Sequence, residues 1–116
     1  MEQLNRIELV GIVGNVRFES FDGTKVARFS VVTNHAFKDH EGCLCIEATW
    51  HNVIAWEGRK NGIDNLEKGR AVHVLGRIRI QKYINVAGFE SSSPEIVASE
   101  VKVIPSEEKT TPEIAR

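Results

Sequence analysis

The sequence predicts a single all-β domain. Several segments alternate apolar and polar residues with a period of two, which is the signature of half-buried strands. Glycine, asparagine, aspartate, serine and proline cluster between these segments and predict turns. The chain has 116 residues, a length that suits one compact domain and is short for two.

The first predicted strand covers residues 6–13, whose first half alternates apolar and polar side chains. Gly11 interrupts its interior, and an interior glycine often marks a bulge or a sharp bend. The Asp-Gly dipeptide within residues 21–24 predicts a turn. The second strand then covers residues 25–33, with Ala27, Phe29 and Val31 on one face and Arg28 and Ser30 on the other.

Residues 34–44 are polar and predict a mobile loop before a third strand at residues 46–56. Residues 57–68 carry helix-compatible apolar spacing, followed by a glycine stop at Gly69, and predict a short helical connector.

The fourth strand, residues 71–81, has the clearest alternation in the chain, and it places Val72, Val74, Ile78 and Ile80 on one face. The Ser-Ser-Ser-Pro run at residues 91–94 breaks the pattern, and residues 95–104 form the last predicted strand.

Five strands with a short helix between strands 3 and 4 is the layout of an OB-fold barrel, whose outer face and loops bind oligonucleotides or oligosaccharides. Another five-stranded barrel topology stays possible at this stage, and strand order alone does not settle function. The predicted domain covers residues 1–104. Residues 105–116 have no apolar periodicity and predict a short disordered tail.

The charge distribution is informative only locally. The net charge is −1 and the pI is about 6.4, whereas a basic domain is the usual footprint of a nucleic-acid-binding protein. Between Gly76 and Gly88, however, the charged residues Arg77, Arg79 and Lys82 are all basic. The sequence has neither a signal-peptide pattern nor an apolar run long enough to span a bilayer, which predicts a cytoplasmic protein.

Three aromatic residues are candidates for stacking on bases. Trp50 and Trp56 lie six residues apart and point to the same side of an extended strand, opposite Val53 and Ala55. This parity favours a solvent-facing Trp50. Trp56 lies where the strand ends, and its side chain is expected either to face solvent, like Trp50, or to pack against the connector. Tyr83 extends the polar face of the fourth strand, where cations would neutralise phosphates and an aromatic ring would stack on a base.

Phe37 and Lys38 lie in the predicted loop, where a large apolar side chain is either tucked under the loop or presented to a ligand. The same region holds His35, His40, Cys43 and Cys45, but this spacing matches no zinc motif, so no metal or other cofactor is predicted. The two cysteines are expected to be free thiols. Glycine-rich phosphate loops, His-Glu-x-x-His and nucleophile elbows are all missing from the sequence, which predicts a non-enzymatic protein.

Four motifs in the correct order resemble the bacterial single-stranded DNA-binding protein family over residues 5–104. The most specific is TWHNVIAW at residues 49–56, which is similar to the family's third-strand segment. NRIELVGIVG at residues 5–14 and TNHAFKD at residues 33–39 resemble its first and second strands, and KGRAVHVLGRIRIQKY at residues 68–83 resembles its fourth.

The resemblance implies an OB-fold homotetramer that binds single-stranded DNA during replication, recombination and repair. Its four base-stacking positions fall on Phe37, Trp50, Trp56 and Tyr83, and its basic fourth-strand positions fall on Arg77, Arg79 and Lys82. His51 matches a histidine at the family's subunit interface. The chain ends in Glu-Ile-Ala-Arg and not in the acidic, phenylalanine-ended tip that recruits replication and repair enzymes, which leaves such recruitment doubtful.

The same predicted fold is also compatible with a protein of another functional class. An OB dimer similar to the primosomal replication protein would bind protein partners first and DNA weakly. The aromatic set and the TWHNVIAW segment argue against this alternative. An enzyme acting on nucleic acid is a third alternative, but it lacks a candidate nucleophile or metal site.

Overall fold

The computed structural model describes residues 1–58 and 61–105. Five strands make up the fold: β1 (Ile7–Phe21), β2 (Thr24–Lys38), β3 (Leu44–Trp56), β4 (Ala71–Ile84) and β5 (Glu90–Val103). They close into a barrel in the order β1-β2-β3-β5-β4. All neighbouring strands are antiparallel except β3 and β5, which pair in parallel through Val53–Ile96 and Ile54–Val97. The predicted five-stranded OB-fold barrel is therefore confirmed.

The core fills the barrel interior with branched aliphatic side chains. Alternate residues of every strand point inward, as in Leu9 of β1, Val31 of β2, Val53 of β3 and Val74 of β4. Each of these four side chains is at most 6% exposed. Because alternate residues of a strand point to opposite faces, the residues between these buried positions lie on the outer face of the barrel.

β1 runs well past the predicted end at Val13 because a bulge between Val13 and Val16 lets the strand bend and continue along β2. The predicted irregularity at Gly11 is wrong in position, since Gly11 lies in regular pairing with Val72. A Cβ atom at Gly11 would collide with the carbonyl oxygen of Val32, so this glycine permits the close approach of β2.

The predicted helical connector is wrong. The described residues of this segment, 57–58 and 61–68, contain a single 3-10 turn at Ile63–Asn65, together with isolated bridges from Asn61 to Gly58 and Val101. One turn suffices to place Ile63 and Leu66 in the core, where they are 2% and 4% exposed. The apolar spacing that predicted a helix therefore arises because these two side chains are buried in the core, and no helix is needed to bury them.

The predicted mobile loop at residues 34–44 is also wrong. β2 extends through Lys38 and pairs with β3 in an unbroken ladder that ends at Lys38–Leu44. The Asp39 carboxylate organises the turn by accepting hydrogen bonds from the backbone N–H groups of Glu41 and Cys43, both at 2.9 Å. Long polar strands arise here because this hairpin projects from the barrel and is exposed on both faces.

The fourth and fifth strands also form a hairpin that projects beyond the barrel. The Ser-Ser-Ser-Pro run does not end a strand, since Ser91–Tyr83 and Pro94–Ile80 are paired within β5 and β4. Ile78 and Ile80 keep the parity of buried Val72 and Val74, but they are exposed because they lie beyond the closed part of the barrel. The four residues share one face of β4, as predicted, but only the first half of that face is buried.

Residues 106–116 of the predicted disordered tail lie outside the described residues, so the tail stays a prediction. Across the described part of the chain, none of the helical structure is long or apolar enough to traverse a bilayer.

Candidate nucleic-acid interface

One outer face of the barrel collects most of the predicted binding residues. Directly paired residues of a sheet share a face, and the pairing of Ile54 with Val97 makes the outer face of β3 continuous with that of β5. The pairing of Arg79 with Glu95 carries the same face on to β4. We call this surface the stacking face and define it by the following side chains: Trp50, Asn52, Trp56, Arg77, Arg79, Gln81 and Tyr83.

Trp50 lies near the middle of the stacking face and is 60% exposed, as its parity predicts. Its indole ring lies over Gly14 of β1: a Cβ atom there would be 2.5 Å from Trp50 Cζ3 and 2.7 Å from Ser30 Oγ. Gly14 thus permits the close approach of the Trp50 ring to β1, while most of the side chain stays accessible to a base.

Trp56 ends β3 on the same face, opposite Val26, and is 37% exposed. Both interpretations of Trp56 therefore hold in part, because one portion of the ring is covered and the rest is accessible. Trp56 also joins the connector, since its carbonyl oxygen accepts a hydrogen bond of 2.7 Å from Asn61 Nδ2.

Tyr83 lies on the projecting β4–β5 hairpin, opposite Ser91, and is 46% exposed. Gln81 and Arg77 precede it on the same face of β4. Within the described ranges 1–58 and 61–105, the Arg77 guanidinium forms no ion pair, so its charge is available to a ligand.

Arg79 is held by a carboxylate that sequence analysis did not single out. Its Nε and Nη2 atoms donate hydrogen bonds of 3.1 and 3.0 Å to Glu95 Oε1. Glu95 is only 7% exposed, and its other oxygen accepts a 3.0 Å hydrogen bond from Arg28 Nη1. The Arg28–Glu95 pair spans from β2 to β5, which are not neighbours in the barrel, and Ile54 of the intervening β3 is 1% exposed.

The remaining predicted residues are not part of the stacking face: Phe37 and Lys82 have the opposite parity, and Lys38, which pairs with Leu44 and has the parity of Trp50, lies at the far end of the β2–β3 hairpin. Phe37 pairs with Cys45 and has the parity opposite to that of Trp50, so it lies on the other side of the β2–β3 hairpin, stacked on His35 at 6.1 Å. Its neighbour Lys38 is exposed at the end of β2. Lys82 is exposed on the face of β4 opposite to Tyr83.

His51, the predicted interface residue, is half-buried with Nε2 3.0 Å from Thr33 Oγ1. It lines an open cavity of about 450 Å³ at the end of the barrel, together with Trp50, Ile78 and Pro94. Besides apolar side chains and the imidazole, the cavity is lined by the polar residues Thr49, Asn52 and Ser93.

A second cavity, which we call the arginine groove, has a volume of about 340 Å³ and runs beside the stacking face. Its lining includes Asn15, Arg17, Arg28, Ser30, Asn52 and Gln81. Arg28 and Ser30 lie on the polar face of β2, as the alternation of this strand predicts, but no functional role could be predicted for them from the sequence. The outward position of Arg17 could not be predicted from the sequence, because the bulge in β1 shifts its parity and no short-range pattern reveals the bulge.

Metal binding finds no support in the geometry of the described residues, since these contain no group of three or more His, Cys, Asp or Glu side chains that could hold an ion. The free thiols Cys43 and Cys45 lie at the tip of the β2–β3 hairpin.

A closed five-stranded barrel with aromatic and basic side chains along one outer face defines a protein of the OB-fold class. The sequence model of the single-strand binding protein family matches residues 4–104. The chain therefore belongs to the single-strand binding protein family.

Individual relatives agree with this assignment. The chain is 33% identical over 106 residues to single-stranded DNA-binding protein 1 of Chlorobaculum tepidum, covering 87% of this chain and 65% of that protein. It is 32% identical to the single-stranded DNA-binding protein of Neisseria meningitidis, covering 87% of this chain and 60% of that protein. The chain thus spans less than two thirds of the length of these two relatives.

Among solved structures, the Plasmodium falciparum SSB in complex with ssDNA superposes with a TM-score of 0.77 at 26% identity, covering 90% of this chain and 98% of that one. A deletion mutant of the single-stranded DNA-binding protein from Thermus aquaticus has a TM-score of 0.72 at 22% identity, covering 88% of this chain and 51% of that one, and shares the fold.

Proposed function

We propose that this protein binds single-stranded DNA with little sequence preference and without catalysis, protecting it during replication, recombination and repair. The observation that carries the proposal is the stacking face, on which the accessible rings of Trp50, Trp56 and Tyr83 share one surface with Arg77. Aromatic rings accept any base, because every base has a π-face, and cations neutralise phosphates regardless of sequence. The proposed ligand implies a cytoplasmic, nucleoid-associated location.

The titration of dT oligomers, followed by tryptophan fluorescence, tests this proposal. Stacking on Trp50 and Trp56 is expected to quench their emission strongly at moderate salt. An OB dimer that binds protein partners first would show no quenching under the same conditions. The second outcome would contradict the proposal, and the family membership together with the exposed rings favours the first.

Arg77 is expected to contribute an electrostatic contact to the phosphate backbone. Because it is exposed and forms no ion pair with a described residue, Arg77→Gln should flatten the plot of log K against log salt by about 0.7 per lost phosphate contact. Equilibrium titrations of a dT oligomer at several NaCl concentrations measure this slope. Lys102→Gln removes the same charge from β5 opposite His73, outside the stacking face, and should leave the slope unchanged.

We also propose that the chain acts as a homo-oligomer, a tetramer, with His51 at a subunit contact. Support comes from the cavity around His51 and from the exposed outer side chains Val10 and Ile12 of β1, which leave apolar surface uncovered in one subunit. Sedimentation of the free protein measures the mass directly. A monomer at micromolar concentration would contradict this assembly without affecting the stacking model.

A further inference from the structure

A chain of ion pairs crosses the outer face of the barrel along the arginine groove. Arg17 Nε lies 3.2 Å from Glu19 Oε2, and Arg28 Nε lies 3.4 Å from Glu19 Oε1. Arg28 then contacts Glu95, which also holds Arg79, both at 3.0 Å. Arg17, Arg28 and Glu95 line the groove, whereas Glu19 and Arg79 contact them from its edge; together the three arginines and two carboxylates carry one net positive charge in an otherwise slightly acidic protein.

The two carboxylates of this chain differ in exposure. The Glu95 side chain is 9% exposed and both of its oxygens are bonded to arginines, so it is a fixed part of the fold. The Glu19 side chain is 44% exposed near the end of β1, and its partner Arg17 is 72% exposed. An exposed pair of this kind is weak and is easily exchanged for another anion. Glu19 is therefore a replaceable counterion, whereas Glu95 holds Arg28 in position from the other side.

The groove adjoins the position of Trp50 on the stacking face. Ser30 contacts the same Gly14 position that the Trp50 ring covers, and Ser30 and Asn52 both line the groove. A base stacked on Trp50 thus brings its flanking phosphodiester to the groove entrance. Asn52 and Gln81 supply amide donors there, which complement the phosphate oxygens next to the guanidinium groups.

We propose that Arg17 and Arg28 form a phosphodiester-binding site in the arginine groove, and that Glu19 occupies this site as an internal anion until single-stranded DNA displaces it. The inference rests on the proposed function. In the bound state the phosphate takes the place of the Glu19 carboxylate, while Glu95 remains paired with Arg28 and Arg79.

Glu19→Gln removes the competing anion and keeps the shape of the side chain. Binding of a dT oligomer at low salt is expected to tighten about 2- to 5-fold, which corresponds to the strength of an exposed ion pair. Glu67→Gln is the matched control: it removes the same charge from the connector, where the Glu67 side chain is 71% exposed and its ion-pair partner among the described residues is Arg70, at 4.0 Å. This control should bind DNA as the wild type does.

Arg17→Gln tests the site itself with little risk to folding, because Arg17 is exposed and its ion-pair partner among the described residues is Glu19. It should weaken binding and flatten the salt slope by about 0.7. Arg28→Gln should flatten the salt slope by the same amount. Because this variant also loses the contact with Glu95, its thermal unfolding is measured to establish that it still folds.

The proposal is overturned if Arg17→Gln keeps the wild-type slope, or if Glu19→Gln binds no more tightly than Glu67→Gln. Either result would leave the proposed function intact, since the wild-type protein would still quench on binding DNA. Absence of quenching in the wild type would instead reject the proposed function, and this inference with it.

Discussion

Replacing Trp50 with alanine is expected to weaken the binding of a short dT oligomer by about 5- to 140-fold. This range corresponds to the loss of one base–aromatic stack, about 1–3 kcal/mol. Trp50 is the most exposed ring of the stacking face and contacts the outside of the barrel at Gly14, so its substitution removes a platform and leaves no cavity in the core. The slope of log K against log salt should stay close to that of the wild type, because no phosphate contact is removed.

Fluorescence anisotropy with a labelled oligomer measures this effect without depending on the lost tryptophan. Phe18→Ala is the control, because Phe18 is 43% exposed but pairs with buried Ala27 on the inward parity of β1. Phe37→Ala should cost less than Trp50→Ala on a short oligomer, since Phe37 lies on the opposite side of the β2–β3 hairpin. A collapse of the salt slope with unchanged affinity would contradict the stacking model.

The largest effect on stability is expected from Ile63→Ala in the connector. Ile63 is 2% exposed within the core cluster, and truncating a buried isoleucine to alanine lowers the free energy of unfolding by about 2–5 kcal/mol. Urea unfolding at a fixed protein concentration should show a lower midpoint with an unchanged m-value.

Glu67→Ala is the matched control for this variant, because Glu67 belongs to the same connector but is exposed, and the unfolding free energy should change by less than about 0.5 kcal/mol. If the two variants were equally stable, the single 3-10 turn would not anchor the connector to the barrel.

The parts of the site that could be predicted from the sequence lie on regular strands. Trp50 and Trp56 have the parity opposite to that of buried Val53 and Ala55, although Ile54 between them is buried as well, and the same parity rule places Arg77, Arg79, Gln81 and Tyr83 together on β4. The rule also separates Lys82 from this group, as the structure confirms. Periodicity sufficed here because burial imposes it locally, one residue after another.

Alternation failed wherever the position of a segment relative to the barrel decided burial. Ile78 and Ile80 have the pattern of core residues but lie on a projecting hairpin, and the polar residues 34–38 form a strand because β3 supplies their hydrogen-bond partners. In the described part of the connector, one 3-10 turn takes the place of the predicted helix.

The sequence by itself determined an all-β OB barrel, the exposed Trp50 and Tyr83 that carry the proposed stacking, and the family to which the chain belongs. Only the tertiary structure decided that Phe37 faces away from Trp50, that Arg79 is bound to buried Glu95, and that Glu19 forms ion pairs with both Arg17 and Arg28. The physical reason is that strand periodicity is a local consequence of burial. A pair such as Arg28 and Glu95, 67 residues apart in the chain, forms because the barrel closes and brings β2 and β5 to opposite sides of β3.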